Sequence, residues 1–184
     1  MIDIKNAAKS YIENLTATLE RVAKYSEGIS FQKIKLDFVD YQESHLKILD
    51  KSNGIYMIAL SENCSIKPEK ICSKVNSFKK NKTKYKFPKV NDVNCYKGNK
   101  ILYIGKSKGN MKKRIEAHLG FANPATYALQ LKFWAQDAYL KNAELEIHYA
   151  FVGMADEDIE TDILEILETS LHKNYKPMLG RSGH

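Results

Sequence analysis

Asn53-Gly54-Ile55-Tyr56-Met57-Ile58-Ala59-Leu60 decides how the rest of this sequence is read. The Asn-Gly pair punctuates the chain, and the apolar run Ile55 to Leu60 has the length and composition of a buried strand. A second such run, Ile101 to Gly105, closes on the turn Lys106-Ser107-Lys108-Gly109-Asn110. Leu145, Ile147, Tyr149 and Phe151 alternate with Glu144, Glu146 and His148, the pattern of a half-buried strand.

Helices are expected between and beyond these strands. Met111, Ile115 and Leu119 are spaced at four and predict a short helix ending at Gly120. A longer helix is expected after Pro124, carrying Tyr127, Leu129, Leu131, Trp134 and Tyr139. The last helix is read over 155–173, with Ile159, Ile163, Ile166, Leu167 and Leu171 as its core stripe. Asp156, Glu157 and Asp158 suit the positive end of its dipole, and Pro177 stops it. Upstream, Ile4, Ala8, Tyr11, Leu15, Leu19 and Val22 place one apolar stripe on an amphipathic helix over 3–26. Ile34, Leu36 and Phe38 then alternate with polar residues as a short strand, and a brief helix is read over His45 to Leu49. This divides the chain into an N-terminal helical extension, 1–52, and a main domain, 53–184.

The chain has 184 residues, 43% hydrophobic and 28% charged, which fits one globular domain with an attached arm and excludes disordered and fibrous classes. Its net charge of +7 is a local feature: residues 61–100 hold eleven lysines against three acids, while the remainder is nearly neutral. Such a cluster points to a polyanionic partner. No run of about 18 apolar residues exists to span a bilayer and the N-terminus lacks an apolar signal core, so no membrane partner and a cytoplasmic location are expected. The odd number of cysteines, Cys64, Cys72 and Cys95, argues for reduced thiols, and their spacing is unlike that of a zinc knuckle.

Gly54-Ile55-Tyr56, then Tyr103-Ile104-Gly105, an arginine nine residues later at Arg114, His118 four beyond it, and Glu168 nine residues before Pro177 form an ordered set. In this combination the chain resembles the GIY-YIG nuclease family over about residues 53–181. The resemblance implies an α/β (α+β) fold with a small three-stranded mixed or antiparallel sheet flanked by helices. It also implies metal-dependent hydrolysis of phosphodiester bonds in DNA, with Mg²⁺ or Mn²⁺ as cofactor.

That reaction needs an activated water, charge neutralisation at phosphorus and help for the departing oxygen. The resemblance gives Tyr56 the task of taking the water's proton, with Tyr103 positioning water or phosphate beside it. Arg114 is the phosphate clamp, since a guanidinium fork holds two oxygens and stays charged. His118, one helical turn on, relays a proton or binds phosphate, and Glu168 is the metal ligand. The family often has an asparagine where this chain has Gly180; if that residue braces the site its loss is tolerable, and if it holds a catalytic group the activity is weak or the task falls to Arg181 or Ser182.

The lysine-rich insertion 61–100 lies between the two tyrosine-bearing strands and reads as a loop or irregular subdomain. As a DNA-binding arm it would use Lys79, Lys80, Lys82, Lys84 and Lys86, with Lys106 adding positive potential at the site and Phe78, Tyr85 or Phe87 stacking on bases. Tyr96 is a fourth aromatic of the segment. The partner expected is double-stranded DNA, and the compact chain suits restriction-type cleavage. The stripe on the N-terminal helix leaves room for a homodimer. The alternative is a non-catalytic nucleic-acid-binding module that retains a nuclease fold, motivated by Gly180.

Overall fold

A computed structural model describes residues 3–50, 52–95, 98–153 and 159–181 of the chain. Four strands form one antiparallel sheet: β1 (Gln32–Leu36), β2 (Gly54–Leu60), β3 (Ile101–Ser107) and β4 (Leu145–Phe151), in the order β1-β4-β2-β3. The expectation of three strands is thereby corrected. β1 pairs with β4 over its whole length, from Gln32 opposite Tyr149 to Leu36 opposite Leu145. Its neighbours Phe38, Leu46 and Leu49 join the same core as the sheet. The 3₁₀ turn Glu43–Leu49 stands where the brief helix was read.

Every residue of β2 is buried because helices cover both faces. One face carries Tyr56, Ile58 and Leu60 against Ile71, Met111, Ile115 and Trp134. These come from α2 (Pro68–Asn81), α4 (Met111–Leu119) and α5 (Leu131–Gln136). The other face carries Ile55 and Ala150 against Ile163, Leu164 and Leu167 of α6 (Thr161–Tyr175). A fully apolar run is what two-sided burial requires.

The lysine-rich insertion, read as a loop or irregular subdomain, carries two helices, and that reading is corrected for them. Pro68 opens α2 at its first turn, and Ile71, Cys72 and Val75 form its buried face. A short helix, α3 (Asp92–Cys95), follows, and the Sγ atoms of Cys72 and Cys95 are bonded, their Cα atoms 6.5 Å apart. The expectation of reduced thiols is corrected for this pair, while Cys64 is free.

The long helix expected after Pro124 is also corrected to the six residues of α5. Before it, Leu129 N–H is turned to the His118 ring and Ala128 N–H to the Lys86 carbonyl. After it, the Asp137 carboxylate accepts from the Tyr139 and Leu140 amides and ends the helical path. The acids Asp156, Glu157 and Asp158 lie outside the described residues. The N-terminal helix, α1 (Ile4–Glu27), packs by Val22 and Tyr25 on the α6 layer and pairs Arg21 with Glu160, while Ile4, Tyr11, Ile12, Leu15 and Leu19 remain exposed. Among the described residues no helix is long and apolar enough to cross a membrane.

Candidate functional site

The register of β2 and β3 puts Tyr56 opposite Gly105 and Ile58 opposite Tyr103. Side chains two apart on a strand share a face, so both tyrosines lie on the same side of the sheet. Their rings stack with centroids 6.3 Å apart. The Tyr56 phenol runs over Gly105: a Cβ there would lie 2.5 Å from the hydroxyl and 3.0 Å from the Tyr103 ring. Gly54 is equally constrained, because a Cβ would collide with the Ala150 carbonyl oxygen and the Met111 side chain.

α4 supplies the next pair. Asn110 caps its start by accepting from the Lys113 amide at 2.9 Å, and Gly120 ends it with φ 102°. His118 is wholly buried, against the edge of the Tyr103 ring at 4.5 Å between centroids. Its Nδ1 accepts from the Leu129 amide at 3.1 Å, so the ring proton sits on Nε2 and is donated to the Tyr56 hydroxyl at 3.0 Å. Burial, aided by the Arg114 charge, pushes the His118 pKa down to about 3, which keeps the ring neutral.

Burial first, and then the neighbouring Tyr103, hold the Tyr56 phenol far above its ordinary range, with the Arg114 guanidinium opposing both. Tyr103 is raised by burial and by Glu168, again against Arg114. Arg114 itself is raised, chiefly by Tyr56, and stays charged.

A cleft of about 770 Å³ opens beside β3, the edge strand, and Tyr103, Lys106, Arg114 and Glu168 line it. Tyr56 and His118 do not reach its surface: both have 0% exposure and stand behind Tyr103. The structure thus brings the five sequence-predicted residues into one cluster but divides them into three that face the cleft and two beneath.

Glu168 is 8% exposed, not a solvated helix residue. Its Oε2 lies 3.2 Å from Lys106 Nζ, and Glu165 Oε2, one turn earlier on α6, lies 3.3 Å from the same ammonium. His172, four residues on, meets the Ile104 carbonyl at 3.2 Å and tethers α6 to β3. Among the described residues no three His, Cys, Asp or Glu side chains cluster as a metal site. Mg²⁺ commonly takes one or two carboxylates and completes its shell with water and phosphate oxygens. Two carboxylate oxygens already converge on one cation here, so the donor set fits a divalent metal once Lys106 moves aside.

Gly180 has φ 99°, and a Cβ on it would lie 2.9 Å from Tyr103 Cε2. The position where the family often has asparagine therefore has no room for a side chain. The turn at Gly180 is braced from the insertion: Asn91 Nδ2 donates to the carbonyls of Pro177 and Gly180, both at 3.1 Å, and Asn94 Nδ2 donates to Pro177 at 3.0 Å. Sequence spacing could not reveal this, since some 86 residues separate Asn91 from Pro177.

Of the five insertion lysines expected at the site, Lys79 lines the cleft. Lys80, Lys82, Lys84 and Lys86 do not; Lys82 sits over the Phe133 ring at 5.5 Å and Lys84 over Tyr85 at 5.3 Å. The expected base-stacking aromatics are corrected too. Phe78, Tyr85 and Phe87 pack around Phe133, and Phe87, though it lines the cleft, is 2% exposed. Tyr96 lies outside the described residues. Lys89 and Tyr127 are cleft residues that sequence reasoning missed, and Tyr127 is 63% exposed. Lys89 carried a signal in the charge cluster; Tyr127 carried none, having the spacing of a core residue.

No family model, no curated protein and no solved structure matches this chain.

Proposed function

We propose that this chain is a GIY-YIG-type endonuclease that hydrolyses phosphodiester bonds of double-stranded DNA with Mg²⁺ or Mn²⁺. The observation that carries the reading is the convergence of Tyr103, Lys106, Arg114 and Glu168 on one cleft, over Tyr56 and His118.

Glu168, with Glu165 beside it, would hold the metal. Bound there, a divalent cation polarises the phosphate and helps ionise water. Arg114, held charged, takes the phosphate oxygens and offsets the negative charge that builds on them. Tyr103 is the phenol that meets the attacking water, because Tyr56, the residue expected in that place, is sealed from solvent. Both phenols are raised by burial, so in the free protein they keep their protons at neutral pH. The charge that opposes this and favours loss of a phenol proton is the Arg114 guanidinium; a cation held by Glu168 would add to it. His118 is a fixed donor that orients the Tyr56 hydroxyl, not a proton relay.

Lys106 on Glu168 favours a second reading, a module that binds nucleic acid through the same cleft without cutting it. Supercoiled plasmid separates the two. Nicking or linearisation with MgCl₂, none with EDTA, and none with Glu168→Ala is the expected outcome. Equal cutting by wild type and Glu168→Ala overturns the metal assignment, and intact plasmid with both Mg²⁺ and Mn²⁺ favours the binding module.

A further inference from the structure

Two further hollows continue the cleft at its ends. One, of about 450 Å³, shares Lys106 and Arg114 with it and adds Lys108 and Lys113 from the start of α4. The other, of about 390 Å³, shares Gly180 and Arg181 and adds Lys173 and Lys176 from the end of α6. Together the three present nine lysines and arginines and a single acid, Glu168, among the described residues. The body outside the insertion is close to neutral, so this is a strong local enrichment. Lys79, Lys89, Lys113, Lys173 and Lys176 form no ion pair among the described residues.

The geometry points to a phosphate track that crosses the cleft from Lys108, in the turn before α4, and Lys113 on α4 to Lys173 on α6 and Lys176 at its C-cap, taking the backbone of duplex DNA on both sides of Glu168. This inference rests on the nuclease reading and deepens it by naming how the substrate lies. A lone phosphate or a nucleotide would need only the central cations. Cations at both ends, with the Glu165 and Glu168 carboxylates between them, match a polymer whose charges recur along its length. The insertion is not the main arm: its lysines at 80, 82, 84 and 86 lie off the groove, and its role there is to build the wall that carries Lys79 and Lys89. The asparagines at the α6 end already donate their amide N–H groups to Pro177 and Gly180. Lysine contacts to phosphate give affinity and salt dependence but little base discrimination.

The test is anisotropy of a fluorescein-labelled 20-base-pair duplex in EDTA, from low to moderate salt, on three full-length proteins. Lys113→Gln/Lys176→Gln removes one cation from each end; Lys80→Gln/Lys84→Gln removes the same charge from the insertion. With one phosphate contact per lysine, the first pair lowers the slope of log K against log salt by about 1.8 and weakens binding by at least about tenfold near 0.1 M salt. The second pair keeps the wild-type slope. An equal or larger loss from the insertion pair overturns the track, as does tighter binding to phosphatidylserine vesicles than to duplex. A larger slope on the labelled single strand overturns the duplex assignment. EDTA makes this independent of catalysis. Plasmid cutting with an unchanged slope in the first pair refutes the track alone, and an uncut plasmid with the expected slope loss refutes the nuclease reading alone.

Discussion

His118 donates through Nε2 to the Tyr56 hydroxyl at 3.0 Å because its Nδ1 is already filled by the Leu129 amide at 3.1 Å. The segment before α5 thereby fixes which proton the histidine carries. A neutral, doubly hydrogen-bonded imidazole with no exposure is a device for orienting a phenol.

That burial makes stability depend on pH in a definite direction. The folded pKa of His118, about 3, lies below the ordinary 6.5, so between these values the unfolded chain binds the extra proton. The stabilisation is complete above pH 6.5 and is lost as pH falls toward 3, by up to about 1.4 kcal/mol per pH unit. Arg114, on the same helix, opposes protonation, while the Tyr56 and Tyr103 rings that face it carry no charge. Urea midpoints at pH 7.5, 5.5 and 4.5 should fall steeply for wild type and less steeply for His118→Gln. Parallel slopes for the two proteins would contradict a histidine kept neutral by burial.

On the proposed metal assignment, Lys106 and a divalent cation would compete for the Glu168 carboxylate. Removing the ammonium in Lys106→Met should tighten Mn²⁺ binding by roughly three- to tenfold, as a pair of this partial exposure contributes about 1 kcal/mol. Free Mn²⁺ measured by electron paramagnetic resonance gives the affinity without reference to turnover. Weaker binding in the variant would mean that Lys106 organises the site instead of blocking it.

Introducing an asparagine at position 180 should harm the protein. Gly180→Asn places a Cβ against the Tyr103 ring at positive φ, at a cost of about 1 to 3 kcal/mol. For a chain of this size that is a melting temperature lower by about 3 to 10 °C. Calorimetry reads it directly, and a variant as stable as wild type and more active would show that the site can accept the amide.

The bond between Cys72 and Cys95 joins α2 to α3 across 23 positions of sequence. A loop of that length predicts a stabilisation of about 3 kcal/mol. The double variant Cys72→Ser/Cys95→Ser, or wild type in a thiol reductant, should therefore unfold at lower urea. No change on adding reductant would mean that the two thiols are not paired.

Periodicity along the chain was enough to find β1, β2, β3 and β4, and to find α1, α4 and α6, because alternation and four-residue spacing are local consequences of which face is buried. Tyr56, Tyr103, Arg114, His118 and Glu168 came instead from an ordered set of short motifs and the family that set resembles, not from periodicity. Periodicity did not find α2, although Ile71, Val75 and Phe78 carry helical spacing, since lysine and asparagine content outweighed three apolar residues.

Pairing and burial join residues that are distant in sequence, and these only the tertiary structure decided. It set β1 beside β4, brought Cys72 to Cys95, seated Lys106 on Glu168 and used Asn91 to brace the turn at Gly180. It also settled that Tyr103 faces the cleft while Tyr56 is closed off behind it. A strand pattern tells which side of a sheet a ring occupies, but how deep that ring lies depends on what the helices lay over it.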